Sequence, residues 1–353
     1  MIKTDILSMD AAGLAGFLAA LSDATGVKAE KYRAGQIRTH MLRGVRDFNE
    51  MTNLPPLLRE ELAENAYIAT PSVELKLVSK IDGTVKYLFR LHDGECVESV
   101  FMRYEHGNTL CVSSQVGCRM GCTFCASTID GRVRDLTASE MLGQIIAAEQ
   151  DTGERVSNIV MMGIGEPLDN YDNTVRFLKL VTSADGLGIG QRHISVSTCG
   201  LCDKIDALAE EDLAVTLSVS LHAPTQEKRA ALMPVAKKYD LDTLMASCRR
   251  YIEKTGRRVS FEYAMILGKT DTAECAEALI RLLSGLLCHV NLIPLNDVKE
   301  RSYTRSSREA VDAFAARLEK GGLTVTVRRR LGSDINASCG QLRRRHKENT
   351  EEA

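Results

Sequence analysis

Three of the chain's eleven cysteines, Cys118, Cys122 and Cys125, fall in one short run with C-x3-C-x2-C spacing. That spacing lets three thiolates share a tight loop and hold three corners of an iron–sulfur cubane, leaving the fourth iron without a protein ligand. Soft thiolates also select zinc, but structural zinc sites close with four ligands, commonly as paired C-x2-C units. No second pair stands nearby in the sequence, and His106 is the nearby residue that could complete a zinc set. Other polar side chains stand at the ends of apolar runs: Gly165 and Glu166 in VMMGIGEP, Ser197 in VSTCG, Ser220-Leu221-His222, and Asn296 after NLIPL. A glycine there lets backbone approach a ligand, and a glutamate can accept from an ammonium group. Each of these residues could equally cap a helix or end a strand. Cys111 and Cys339 lie away from the triplet, and isolated cysteines are usually small buried hydrophobes. Arg328, Arg329 and Arg330 precede Cys339 and Arg343, Arg344 and Arg345 follow it; clustered cations lower a thiol's pKa and attract phosphates.

The elements that must position these residues can be read from the pattern around them. Residues 1–70 predict a helical accessory domain, with an apolar stripe through Leu14, Phe17, Leu18 and Leu21 and a basic stretch, KYRAGQIRTHMLRGVRDF, closing at NLPP. In that stretch Lys31, Arg33, Arg38, Arg43 and Arg46 suggest a phosphate-facing surface or a solvated face. Residues 71–113 alternate in short runs separated by DG, DGE and HGN turns, which predicts a β-hairpin extension. Residues 114–342 alternate helix-length segments with apolar runs at 158–163, 193–198, 215–222, 259–266, 289–295 and 325–330. This is the signature of an α/β fold with parallel strands, a partial barrel whose ligands gather at the carboxyl ends of the strands. A tail, 343–353, remains.

Composition excludes little else. Hydrophobic residues at 44% and charged residues at 26% fit a globular chain, and no apolar run is long enough to span a bilayer. The first residues lack a secretory pattern, so the cysteines are expected to be reduced, in a cytoplasmic protein. A net charge of −2 gives no whole-molecule argument for nucleic acid, so any such argument must be local.

With Phe124 before Cys125, the run C-x3-C-x-F-C resembles the cluster loop of the radical S-adenosylmethionine (SAM) superfamily. Together with CVSSQVGC, VMMGIGEP, SLH, RRVSFEY, NLIPLN, GSDINASCGQL and the amino-terminal YRAGQI and FNEMTNLP, nearly the whole chain resembles the RlmN family, ribosomal RNA adenine-C2 methyltransferases and sister to the Cfr methyltransferases. The resemblance implies a radical SAM partial (β/α)6 barrel and a [4Fe-4S] cluster on Cys118, Cys122 and Cys125. It implies SAM, two per turnover, cradled by Gly165, Glu166, Ser197, Ser220, Leu221, His222 and Asn296. It also implies Cys339 as methyl carrier, Cys111 as its partner thiol in a transient disulfide, and Glu98 as the acid/base. The implied reaction is methylation of adenine carbon 2 in 23S rRNA and in tRNA, with Cfr-type methylation of carbon 8 as the alternative. The implied partners are RNA and an electron donor such as flavodoxin or ferredoxin, with no membrane and with the chain acting as a monomer. One departure is visible, Cys199 where the family often has serine in Ser-Thr-Ser-Gly; Ser197 and Gly200 on either side are kept.

Overall fold

The structure is a computed structural model and describes residues 3–295, 301–335, 337, 342, 343 and 346. Asn296, Cys339, Arg344 and Arg345 lie outside the described residues.

The amino-terminal unit contains β1 (Thr4–Asp5), α1 (Ala11–Thr25), α2 (Arg33–Leu42), α3 (Pro56–Asn65) and β2 (Ala66–Tyr67). Helix α1 starts where the Asp10 side chain accepts from the Gly13 N–H at 2.7 Å and stops at Gly26, whose φ of 74° suits a residue without a Cβ. Its spacing buries Leu14, Leu18 and Leu21 on one face. NLPP, read as the close of the helices, instead opens α3. Pro56 sits in the first turn, where a helix has no use for the missing N–H. The two short strands β1 and β2, also absent from the sequence-based reading, pair in parallel and tie the two ends of this unit together.

The basic surface of this unit is smaller than the sequence suggested. Arg38 is buried: its Nε donates to the Asp185 carbonyl at 2.7 Å and pairs with the Asp185 carboxylate at 3.3 Å, and its Nη1 donates to the Met9 carbonyl. Because it stands on the apolar side of α2 beside Ile37 and Met41, it anchors the helices to the rest of the molecule rather than facing solvent. Lys31, Arg43 and Arg46 remain exposed, and Arg33 is half-buried.

Among the described residues, a ten-stranded sheet with a small separate hairpin underlies the remainder. Its antiparallel part is β3 (Ser72–Val78), β4 (Val85–Arg90), β5 (Cys96–Met102) and β6 (Thr109–Cys111). A separate hairpin, β7 (Gln115–Gly117) with β8 (Arg132–Asp135), follows. Then come α4 (Ala138–Thr152), β9 (Asn158–Met161), α5 (Tyr171–Thr182), β10 (Ile194–Thr198), α6 (Cys202–Ala209), β11 (Thr216–Ser220), α7 (Gln226–Leu232), α8 (Leu241–Thr255), β12 (Val259–Met265), α9 (Ala273–Leu283), β13 (Cys288–Pro294), α10 (Arg308–Lys320) and β14 (Val325–Val327). The sheet order is β14-β13-β12-β11-β10-β9-β6-β5-β4-β3, and every pairing from β6 to β14 is parallel. A sheet whose parallel strands follow one another in chain order, each joined through helix, is an open partial (β/α)6 barrel with one extra strand. The hairpin extension continues that same sheet, since β6 pairs with both β5 and β9.

Alternation along the strands separates two interiors. On β12, Phe261, Tyr263 and Met265 join the core beneath the helices, whereas Glu262 and Ala264 line the barrel cavity. The same core is continuous with Leu14, Leu18, Ile37 and Leu58 of the amino-terminal helices. No described helix is long and apolar enough to cross a membrane.

Candidate active site

The β7–β8 hairpin holds the triplet loop. Gly117, at φ 77°, lies so close to Gly131 that a Cβ would collide with its carbonyl oxygen, and the Cys118 N–H donates to that oxygen at 2.9 Å. Thr123 ties the loop to α7 through the Leu232 carbonyl, 2.9 Å, and to the Tyr303 hydroxyl, 2.7 Å. Thr128 Oγ1 donates to the carbonyls of Cys122 and Cys125, each at 3.1 Å. All three cysteines line one cavity of about 380 Å³ at the carboxyl ends of the parallel strands. Burial pushes the Cys118 thiol up to about 12 and the Cys122 thiol further, so a cation must balance them if they are to be thiolates.

Among the described residues no three His, Cys, Asp or Glu side chains converge on a point where one ion would sit. A cubane offers one iron per thiol and does not require that convergence. Three soft thiols on a pinned loop, bordered by Met120, Phe124 and Met233 and open to a cavity of ligand size, fit a [4Fe-4S] cluster.

The remaining polar positions surround the same space, and two of them carry additional structural detail. Gly165, Glu166, Ser197, Ser220 and His222 all line the cavity. The freedom of Gly165 serves the protein's own chain, however: at φ 109°, a Cβ there would come within 2.7 Å of the Gln115 backbone nitrogen. Gly163 is likewise pressed against Val112 and Ser113. Leu221 does not reach the cavity with its side chain, which is fully buried in the core because alternation turns it away from its neighbours. Leu295 brings the chain to the cavity wall, and Asn296 beyond it is outside the described residues.

Glu166 is almost completely buried; its Oε2 accepts from the Cys199 N–H at 2.6 Å and its Oε1 from the Leu168 N–H at 3.1 Å. Burial raises its pKa in spite of these bonds, so a cationic partner would be strongly favoured there. His222 takes a positive φ of 56°, and Phe124 packs edge-on against its ring at 4.9 Å. Its Nδ1 accepts from the Ala264 N–H at 3.1 Å, so in the neutral ring the proton is on Nε2. Burial and the charge of Arg229 push its pKa down to about 3. An unfolded histidine takes up its proton near pH 6.5, so between about 6.5 and 3 the unfolded chain binds more protons and stability falls with falling pH, by at most about 1.4 kcal/mol per pH unit from this group. His222→Gln will flatten that part of the curve, as measured by urea unfolding between pH 7 and pH 4.

Cys111 ends β6, lines the cavity, and packs with Val100, Met102, Leu331 and Ala337. Glu98, on β5, lies behind that wall rather than on it: Lys86 Nζ is 3.1 Å from its Oε2, and the Arg343 N–H donates to its Oε1 at 2.7 Å. Cys339 itself is outside the described residues; on either side of it, Ala337 packs against the cluster that contains Cys111 and the Arg343 N–H donates to Glu98. Arg328, Arg329 and Arg330 also line the cavity.

Three residues here were given no role from sequence. Cys199, the family departure, lines the cavity beside Cys122 in a small apolar cluster. Arg229 is fully buried, its Nη2 donating to the Cys199 carbonyl at 2.6 Å and so fixing the end of β10. Glu262 is a buried carboxylate on β12, and the acidic residue inside an otherwise apolar strand, FEYAM, was the signal available for it.

A partial barrel of this topology, with three cysteines on a loop after its first parallel strand, defines a radical SAM enzyme. Residues 112–283 match the radical SAM superfamily, and residues 4–68 match the ribosomal RNA large subunit methyltransferase N-terminal domain. The chain belongs to the RlmN family of methyltransferases. It is 53% identical over 349 residues to a probable dual-specificity RNA methyltransferase RlmN of Alkaliphilus oremlandii, covering 99% of this chain and 100% of that one. A protein of the same description from Lachnospira eligens is 51% identical over 352 residues, 99% of each chain. The crystal structure of a radical SAM methyltransferase from Sphaerobacter thermophilus superposes with a TM-score of 0.90 at 43% identity, over 96% of this chain and 98% of that one.

Proposed function

We propose that this chain methylates carbon 2 of a specific adenine in 23S rRNA and in tRNA, with Cys339 carrying the methyl group and Cys111 releasing the product. The observation that carries the reading is the convergence of Cys118, Cys122, Cys125 and Cys111 on one cavity, with the segment flanking Cys339 closing over it at Ala337.

Carbon 2 of adenine has no lone pair with which to displace a methyl group from a sulfonium, so the base cannot be methylated directly. When bound, the cluster and a SAM molecule supply the 5′-deoxyadenosyl radical that such a carbon requires. Cys118, Cys122 and Cys125 would hold the cluster, and Glu166 would pair with the SAM ammonium group. Ser197, Ser220, the 221–222 backbone and Asn296 would orient the rest of SAM. The Cys339 thiol gives up its proton and accepts a methyl group from one SAM, and a second SAM is consumed in activating that methyl group. Once the carbon is joined to the base, the enzyme and RNA are tethered through sulfur. The radical adduct would return one electron to the cluster and Glu98 would take the ring proton; the Cys111 thiolate then attacks the Cys339 sulfur, forming a disulfide as the carbon–sulfur bond breaks and a proton takes the place of sulfur on the new methyl carbon. An external electron donor, such as flavodoxin or ferredoxin, would reduce the cluster, and external reductant also restores both thiols.

Arg328, Arg329 and Arg330 line the cavity and Lys31, Arg43 and Arg46 are exposed on the helical unit, which supports their meeting phosphates and so offsetting the few kcal/mol of unstacking the base. We assign residues 1–70 to RNA binding, 71–113 to the extension, 114–342 to the catalytic core and 343–353 to a tail, acting as a cytoplasmic monomer. Anaerobic reconstitution with iron, sulfide, SAM and a reductant, followed by mass spectrometry of nucleosides from 23S rRNA and tRNA, tests the reading. The expected product is 2-methyladenosine in both; 8-methyladenosine alone would transfer the assignment to Cfr-type chemistry.

A further inference from the structure

The barrel interior contains a closed ring of hydrogen bonds that the mechanism above does not use. Glu262 Oε1 meets Ser260 Oγ at 3.2 Å, and Ser260 Oγ meets His289 Nδ1 at 3.3 Å. His289 Nε2 meets Thr326 Oγ1 at 3.1 Å, and Thr326 Oγ1 meets Asn291 Oδ1 at 3.1 Å. Asn291 Nδ2 closes the ring on Glu262 Oε2 at 2.8 Å. Strand register enforces the grouping, since Ser260 lies opposite His289, Glu262 opposite Asn291, and Asn291 opposite Thr326.

Counting hydrogens constrains this ring. Each of its five contacts needs one proton. The Ser260 hydroxyl, the Thr326 hydroxyl and the Asn291 amide supply one each, so Glu262 and His289 must supply the other two together. Two arrangements do so. In one, Glu262 is a neutral acid donating to Ser260, Ser260 donates to His289 Nδ1, and a neutral His289 donates from Nε2. In the other, Glu262 is a carboxylate, Ser260 donates to it, and an imidazolium donates from both nitrogens. The two differ by two short hops, Glu262 to Ser260 and Ser260 to His289, and no heavy-atom contact breaks in passing between them.

The ends of this chain of hops lie in different environments. Glu262 lines the reaction cavity. His289 and Ser260 lie nearer the amino ends of β12 and β13, away from the cavity mouth; His289 is half-buried and Thr326 is exposed. We propose that Glu262, Ser260 and His289 form a proton path that links the reaction cavity to solvent on the opposite side of the barrel. Its purpose rests on the reading given under Proposed function: RNA closing the mouth leaves the Cys339 thiol proton, and the ring proton first taken by Glu98, to be carried out to solvent. A proton taken by the Glu262 carboxylate leaves as one released by the His289 imidazolium to water, so charge and atoms balance with no co-reactant.

Burial raises the pKa of Glu262 and lowers that of His289, which brings two unlike acids toward each other and suits reversible exchange. The charged groups facing them are Arg328 toward Glu262 and Arg258 toward His289.

The test has two parts. In the full-length chain labelled with 15N-histidine, without SAM or RNA, the His289 signal is assigned by its loss in His289→Gln and titrated. Glu262→Gln will lower its midpoint by about one pH unit or more, because an amide supplies one ring proton itself and neutral imidazole then completes the ring. In single turnover with RNA, Ser260→Ala will slow product release about tenfold or more, and Ser260→Thr, which keeps the hydroxyl, will restore it. An unmoved His289 midpoint in Glu262→Gln overturns the path, as does wild-type product release in Ser260→Ala. The titration requires neither SAM nor RNA, so a chain that makes no methylated nucleoside would overturn the functional reading alone.

Discussion

Cys339→Ala will lose methylation by at least about 1000-fold, to below detection in nucleoside mass spectrometry, while the reconstituted cluster and its cleavage of SAM persist. The size of the loss follows from the absence of a substitute. Alanine has no lone pair with which to take the first methyl group, and carbon 2 of adenine cannot take it directly. The persistence of SAM cleavage follows from position, because the thiols expected to hold the cluster are on the β7–β8 loop, and Cys339 is in a separate segment that follows Gly332 and Ala337. Loss of both activities together would mean that residue 339 belongs to the SAM site, and the methyl-carrier role would be withdrawn.

Cys111→Ala will give the opposite phenotype, an enzyme that reacts with RNA and cannot let go. With Cys339 intact, the carbon joins the base; without the partner thiol, the carbon–sulfur bond has nothing to displace it. A protein–RNA adduct stable to denaturation should accumulate to about one per active enzyme and disappear in the Cys339→Ala background, as read on a denaturing gel with labelled RNA. The packing of Cys111 against Val100, Met102 and Ala337 leaves room for alanine without rearrangement, so misfolding is not a competing explanation. Normal multiple turnover by Cys111→Ala would rule out the disulfide step.

The parallel strands were legible because each is a short run dense in Val, Ile and Leu between helix-length segments, and β9 through β14 begin within two residues of the runs read from sequence. Their carboxyl ends located the cavity for the same reason. Errors came where tertiary contacts override local pattern. Arg38 reads as one of five surface cations until the Asp185 loop from another part of the chain is packed over it. Pro56 reads as a stop because two prolines in sequence usually are one, whereas the helix begins on the second. Gly165 and Gly163 were read for ligand approach, and they are also pressed against the 112–115 backbone, a contact that no local pattern announces. The hydrogen-bonded ring in the barrel was not legible, since its members come from three strands and only register brings them together.

The shared core of the helical unit and the barrel, fastened by Arg38, has a consequence for how RNA is chosen. The exposed cations Lys31, Arg43 and Arg46 and the mouth of the cavity are joined through that continuous core, which ties the span between them to the packing of the two units. If the proposed RNA contacts hold, such a molecule would work as a caliper: it would admit RNAs whose reactive base and distal phosphates match a fixed gap, and two transcripts of unrelated sequence could both satisfy it where their folded outlines agree.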